Sequence, residues 1–260
     1  MSSALLIFLL AAVSFLAWFV SMLVGGGSPL ILIPLVTLLL GAQAVAPVLT
    51  IGSVLGNVQR GLLLWPHIDW SLTLWQVPGV VVGAVLGAYA FTQVEAQGLQ
   101  VFVAITLIYM VMHVLVRALL SKSLADGQSQ RPFFSFKAWH FLPLGFCNAV
   151  LSGLVGSTGP ILNPAYLNYG LEKEAMVATR AASLTLTHVI KILTYTVLGV
   201  LSPRLVGYGL LIGCAAFPAN WLGRIVLEKM SAAQFQIAVL SFVGFSGVWM
   251  LWQQRALFIH

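Results

Sequence analysis

The chain has 260 residues, of which 60% are hydrophobic and only 7% charged, with a mean hydropathy of +1.01. A soluble domain carries about 25% charged residues, so a soluble fold is excluded. The long apolar runs, without two-residue alternation, exclude an outer-membrane barrel and point to helices crossing a bilayer. The formal charge is +6, but its cations are too scattered to suggest nucleic acid.

Runs of about 20 apolar residues predict full crossings. They fall at 4–24, 44–64, 72–92, 99–120, 139–155, 174–198, 206–226 and 234–252. The first lacks a basic leader and a cleavage site, so it reads as a retained span. Two shorter pieces, 30–40 and 161–169, are too short to cross alone at about 1.5 Å per residue. They read as half-helices or re-entrant segments. The polar connection 121–137 carries Lys122, Arg131 and Lys137. Its basic character places it in the cytoplasm. The expected organisation is an N-terminal half over 1–120, a basic cytoplasmic loop over 121–138 and a C-terminal half over 139–260. If each short piece completes a crossing, there are ten spans and inverted repeats, not eight spans; both counts stay open. Cys147 and Cys214 lie in apolar runs and read as small buried residues, with no disulfide framework. The tryptophans Trp18, Trp65, Trp70, Trp75, Trp139 and Trp252 lie mostly near predicted span ends, as an interfacial belt would. Gly79, Gly83 and Gly87 recur every four residues, a spacing that lets helices approach closely. Gly209, Gly213 and Gly223 suggest the same in the other half, and such faces would suit a homodimer.

The two halves share a motif. SMLVGGGSPLILIP (21–34) resembles SGLVGSTGPILNP (152–164). Ser21 matches Ser152, Val24 and Gly25 match Val155 and Gly156, and Pro29 matches Pro160. A broken-helix signal at corresponding positions of two halves points to a transporter binding site. Irregular backbone at membrane depth is tolerated only where it lines a cavity or is buried in protein. The free N–H groups of the following half-helix form an anion site. The candidate site residues here are Gly25, Gly26, Gly27 and Ser28 in the first half, and Gly156, Ser157, Thr158 and Gly159 in the second.

A polar stripe follows each motif. Arg180, Ser183, Thr187, Lys191 and Thr194 fall within about 80° of arc at 100° per residue. Thr50, Ser53, Asn57 and Arg60 share a face in the same way. The six acids Asp69, Glu95, Asp126, Glu172, Glu174 and Glu228 all lie in loops or at span ends. An anionic substrate would therefore balance the stripe, and Thr50, Asn57, Arg180, Thr187 and Lys191 join the candidate site. The plainer readings are snorkelling for Arg60 and Arg180 and pairing with backbone carbonyls. No metal or cofactor is expected.

The pattern resembles the sulfite exporter TauE/SafE family of bacterial permeases. LVGGGSPLILIP (23–34) and LVGSTGPILNP (154–164) carry the resemblance, with the basic mid-chain loop and the glycine-rich third and seventh spans. It implies an all-α polytopic protein of the cell inner membrane, built of two homologous halves of about four spans each. It also implies secondary transport, by alternating access and in the export direction, of a small sulfur-containing or organic anion such as sulfite or a sulfonate. The partners implied are that anion and the lipid bilayer. The second motif departs from the family pattern in having GSTGP in place of a run of glycines. The alternative is an anion channel, or a permease for a non-sulfur solute such as an organic carboxylate. An enzyme built on Ser28 or Ser157 would need a positioned base, and His188 is the one embedded histidine near the stripe.

Overall fold

The computed structural model describes residues 3–94, 137–158, 162–171, 173–231 and 234–235, and among these all regular structure is helical. Helix α1 spans Ser3–Leu23, α2 Ser28–Leu40, α3 Ala42–Leu63 and α4 Trp70–Gln93. Helix α5 spans Phe141–Val155, α6 Asn163–Tyr169, α7 Lys173–Val197 and α8 Pro203–Lys229, with single 3-10 turns at Trp65–His67 and Ala138–His140. The predicted spans 99–120 and 234–252, Trp252 and most of the basic loop lie outside the described residues, apart from the helical Gln234 and Phe235.

Five segments are long and apolar enough to cross a membrane: Ala4–Leu23, Trp70–Gln93, Ala138–Val155, Lys173–Val197 and Pro203–Lys229. Helix α3 has the length, 22 residues or about 33 Å. Its Ser53, Asn57 and Arg60 lower its hydropathy, and all three are buried against protein. Helix α2, with 13 residues, reaches only about 20 Å and cannot cross a hydrocarbon core about 30 Å thick.

Local chemistry sets the ends. Asp69 caps α4 by accepting from the Leu72 N–H at 2.9 Å, while its own N–H donates to Thr179 Oγ1 at 2.9 Å and ties α4 to α7. Ser202 caps α8 through the Leu205 N–H. Gly170, in the left-handed region at φ 104°, closes α6.

Helices from the two ends of the chain pack on one another. Helix α4 lies on α5 and α7, and α8 lies on α1 and α3, while α3 and α7 meet. The α4–α5 contact is backbone-close: a β-carbon on Gly79, Gly83 or Gly87 would run into the carbonyl oxygen of Leu142, Phe146 or Val150. Gly209, Gly213 and Gly223 accept Ile51, Leu55 and Met22 in the same manner. The packing expected of both glycine sets is present.

Two apolar clusters sandwich a polar layer. One contains residues 44–49 of α3, Ala88 and Phe91 of α4 and Tyr195 of α7. The other contains Leu64, Leu72 and residues 176–178. Between them along the same helices lie the buried polar residues Thr50, Ser53, Asn57 and Arg60 of α3, Gln76 of α4, and Arg180, Ser183, Thr187, His188 and Lys191 of α7.

Two expectations are corrected here. Cys147 and Cys214 are free and exposed on helix faces turned away from the protein, where a small apolar side chain suits lipid as well as a core. Trp18 is 2% exposed and sits beneath the Arg60 guanidinium, 5.1 Å from its ring centroid. A buried cation recruits it inward, so it does not join the belt. Trp65, Trp70, Trp75 and Trp139 are exposed, as expected of interfacial rings.

Candidate functional site

The helix breaks where the glycines stand. After Leu23, Gly25, Gly26 and Gly27 take φ values of 67°, 130° and 123°, a region costly for any residue with a β-carbon. Helix α2 restarts at Ser28 with Pro29 in its first turn, where the missing N–H costs nothing. Its N-terminus has no side-chain cap, and residues 25–28 are all buried.

Two elements reach this break, and a third, α4, is bonded to them. The Arg180 guanidinium, from α7, donates to the Gly25 carbonyl. It fills the space beside Gly26, where a β-carbon would overlap it. Asn163, at the start of α6, donates from Nδ2 to the Val24 carbonyl at 3.3 Å. Gln76 of α4 accepts at Oε1 from Ser183 Oγ at 2.7 Å and from the Tyr166 hydroxyl at 3.1 Å. The Gln76 Nε2 and Asn163 Oδ1 atoms are buried without a hydrogen-bond partner.

The second break follows Val155. Gly156 has φ 91° and lies against Ala46 and Leu49 of α3. Ser157 and Thr158 are buried, and Thr158 Oγ1 donates to Asn148 at 2.6 Å. Lys191 of α7, with 0% of its surface exposed, reaches the Ser152 carbonyl at 2.6 Å, the Gly156 carbonyl at 2.8 Å and Ser152 Oγ at 3.2 Å. Gly159 and Ile161 lie outside the described residues, and the described helix begins at Asn163.

The remaining predicted residues divide. Thr187 is buried and donates to the Ser183 carbonyl of its own helix. Asn57 does the same to Ser53 at 2.9 Å. Thr50 Oγ1 is buried and has no partner. Arg60 does not snorkel. It is 4% exposed and donates to Asn220 Oδ1 at 3.0 Å and Ser21 Oγ at 3.4 Å. Carbonyl pairing is what the structure contains for both Arg180 and Lys191. Gln76, Asn163 and Asn220 were not singled out by the sequence reading. Each is a polar residue within an apolar run, and the available signal is that polarity, with Thr73 three residues before Gln76 on the same face.

Neither His188 ring nitrogen has a hydrogen-bond partner, so neither Ser28 nor Ser157 is joined to a base. A cavity of about 560 Å³ opens at one end of the bundle, lined in part by Leu40, Gln43, Thr92, Gly199 and Ser202. Phe91 also lines it and packs on Tyr195 with ring centroids 5.6 Å apart. The Tyr195 hydroxyl in turn donates to the Gly153 carbonyl at 2.7 Å, just before the second break.

Buried cations meeting interrupted helices inside a polytopic bundle suit a membrane transport protein. Residues 10–250 match the family model described as Sulfite exporter TauE/SafE, nearly the whole chain. The chain belongs to that family; it is a multi-pass transporter of the cell membrane and not an enzyme. No curated protein and no solved structure matches it.

Proposed function

We propose that this transporter carries a small sulfur oxyanion, sulfite or an organic sulfonate, outward by alternating access. The observation that carries the reading is Arg180 standing at the Gly25 carbonyl beside the uncapped N-terminus of α2. A guanidinium and a helix N-terminus together favour an oxyanion. Gln76 Nε2 and Thr50 Oγ1 are buried donors without acceptors, and a buried polar atom without a partner calls for an explanation. An oxyanion supplies acceptors. Gly25, Gly26, Gly27 and Ser28 shape the first half of the site. Gly156, Ser157 and Thr158 shape the second, while Asn57 and Thr187 border it. Lys191 contributes its charge to the buried layer without a direct bond to the substrate in this conformation.

The two halves act as structural repeats with re-entrant segments at the breaks. The packing supports this: α8 on α1 and α3 mirrors α4 on α5 and α7, and α3 meets its counterpart α7. The cavity behind Phe91 and Tyr195 serves as one vestibule. An inside-negative potential favours anion exit by about 2.3 kcal/mol per charge per 100 mV, so export needs no coupling ion.

The test is counterflow in proteoliposomes. External sulfite should accelerate release of preloaded labelled sulfite, and Arg180→Ala should abolish the effect. Flux that rises linearly with concentration and shows no counterflow would mark a channel instead.

A further inference from the structure

The chain's own ammonium group occupies a cation site. Lys191 Nζ is surrounded by three neutral oxygens, the Ser152 carbonyl, Ser152 Oγ and the Gly156 carbonyl, at 2.6–3.2 Å. An ammonium has three donors and no acceptor, so the count of partners fits it fully. These oxygens belong to the C-terminal end of α5 and the break beyond it. At such an end the last carbonyls lack intrahelical partners and the dipole is negative. In transporters with discontinuous helices, unwound carbonyls and half-helix C-terminal ends coordinate a coupling sodium ion or proton. Here a side chain from α7 is tethered in that place.

The sequence-matched position in the first half is treated alike. Gly25, which matches Gly156, receives the Arg180 guanidinium on its carbonyl. Ser21, which matches Ser152, receives Arg60 on its hydroxyl. Two cations of the chain thus sit on carbonyls at the two breaks, and a third sits on a hydroxyl one turn before the first.

We infer that Lys191 is a positioning residue that fills, permanently and in cis, a monovalent-cation site formed by Ser152 and Gly156, so that the second break is held without a sodium ion. Its consequence for coupling rests on the transporter reading; the site itself does not. Truncation to Lys191→Ala removes three methylenes and the nitrogen, the dimensions of propylammonium, and leaves the oxygens in place.

The experiment is thermal unfolding of purified Lys191→Ala and wild-type protein, titrated with propylammonium, sodium or tetramethylammonium chloride at constant ionic strength and without any substrate anion. The variant should melt lower than wild type and regain stability, saturably, with propylammonium. Tetramethylammonium has no N–H to donate and should do nothing, and wild type should respond to none. A variant that no cation stabilises more than wild type would overturn the inference. If Lys191→Ala yields no folded protein, wild-type sulfite flux with sodium replaced by choline decides. An unchanged rate supports a built-in cation, and a sodium requirement overturns it. Because the melt contains no substrate anion, a negative result there leaves the anion reading standing, and loss of anion binding leaves the cation site standing.

Discussion

The Arg180 guanidinium donates to the carbonyl of Gly25, 155 residues away in the chain. This bond joins α7 to the break between α1 and α2, at the level where polar side chains lie between the two apolar clusters. Truncating a buried, hydrogen-bonded charge at a binding site costs about 2–5 kcal/mol, a factor of about 30 or more in affinity. Arg180→Ala should therefore lose substrate binding by at least that factor. Arg180→Lys should not restore it fully, because a point charge cannot reproduce the planar fork. Equilibrium binding of labelled sulfite to the purified variants checks both.

Gly26 is the position where backbone and side-chain constraints coincide. Its φ is 130°, and a β-carbon would overlap Arg180. Gly26→Ala should lower stability by more than about 1 kcal/mol through backbone strain alone, and displace the guanidinium as well. The thermal midpoint should fall, and any anion-induced rise in it should shrink.

Arg60 holds a second network. Its guanidinium bonds Asn220 and Ser21 and lies over Trp18. Arg60→Ala leaves Asn220 Oδ1 without its charged donor, and hydrogen bonds to charged groups contribute about 1.5–3 kcal/mol each. Thermal melts should show a loss of that order. The rise in midpoint on adding anion should persist, since Arg60 bonds Ser21 and Asn220 and none of residues 25–28.

Glycines in the helices separate cleanly by what lies next to them. Gly83→Ala would push a methyl group into the Phe146 carbonyl across the α4–α5 contact and should destabilise. Gly207→Ala, in α8, meets nothing within 4 Å and should stabilise by about 0.5–1 kcal/mol, the usual gain over glycine within a helix. Opposite signs in paired melts are expected.

How far the sequence announced this arrangement depends on the kind of signal. The break at residues 25–29 could be read in advance because a glycine run followed by proline has few other uses inside an apolar helix. The α7 stripe could be read because helical geometry sets which residues share a face. The partner of each cation could not. Nothing local in the sequence says that Lys191 turns to the Ser152 and Gly156 carbonyls, or that Arg60 draws Trp18 into the interior. Asn163 stands alone, Gln76 shares a face with Thr73 and Asn220 with Arg224, and only the packing of α4, α6 and α8 gave the three their partners. Cys147 and Cys214 carry the same apolar signal whether they face protein or lipid, and only packing distinguishes the two.

The central claim is an oxyanion site at the first break, and its most direct test is thermal stability of the purified protein against a panel of anions. Sulfite, thiosulfate, sulfoacetate, taurine, phosphate and acetate would be compared at fixed ionic strength. A ligand that binds only the folded state at one hundred times its Kd stabilises it by about 2.7 kcal/mol. The account predicts a saturable rise in midpoint with one sulfur oxyanion or sulfonate, absent in Arg180→Ala. No rise with any anion, in folded wild-type protein, would contradict it.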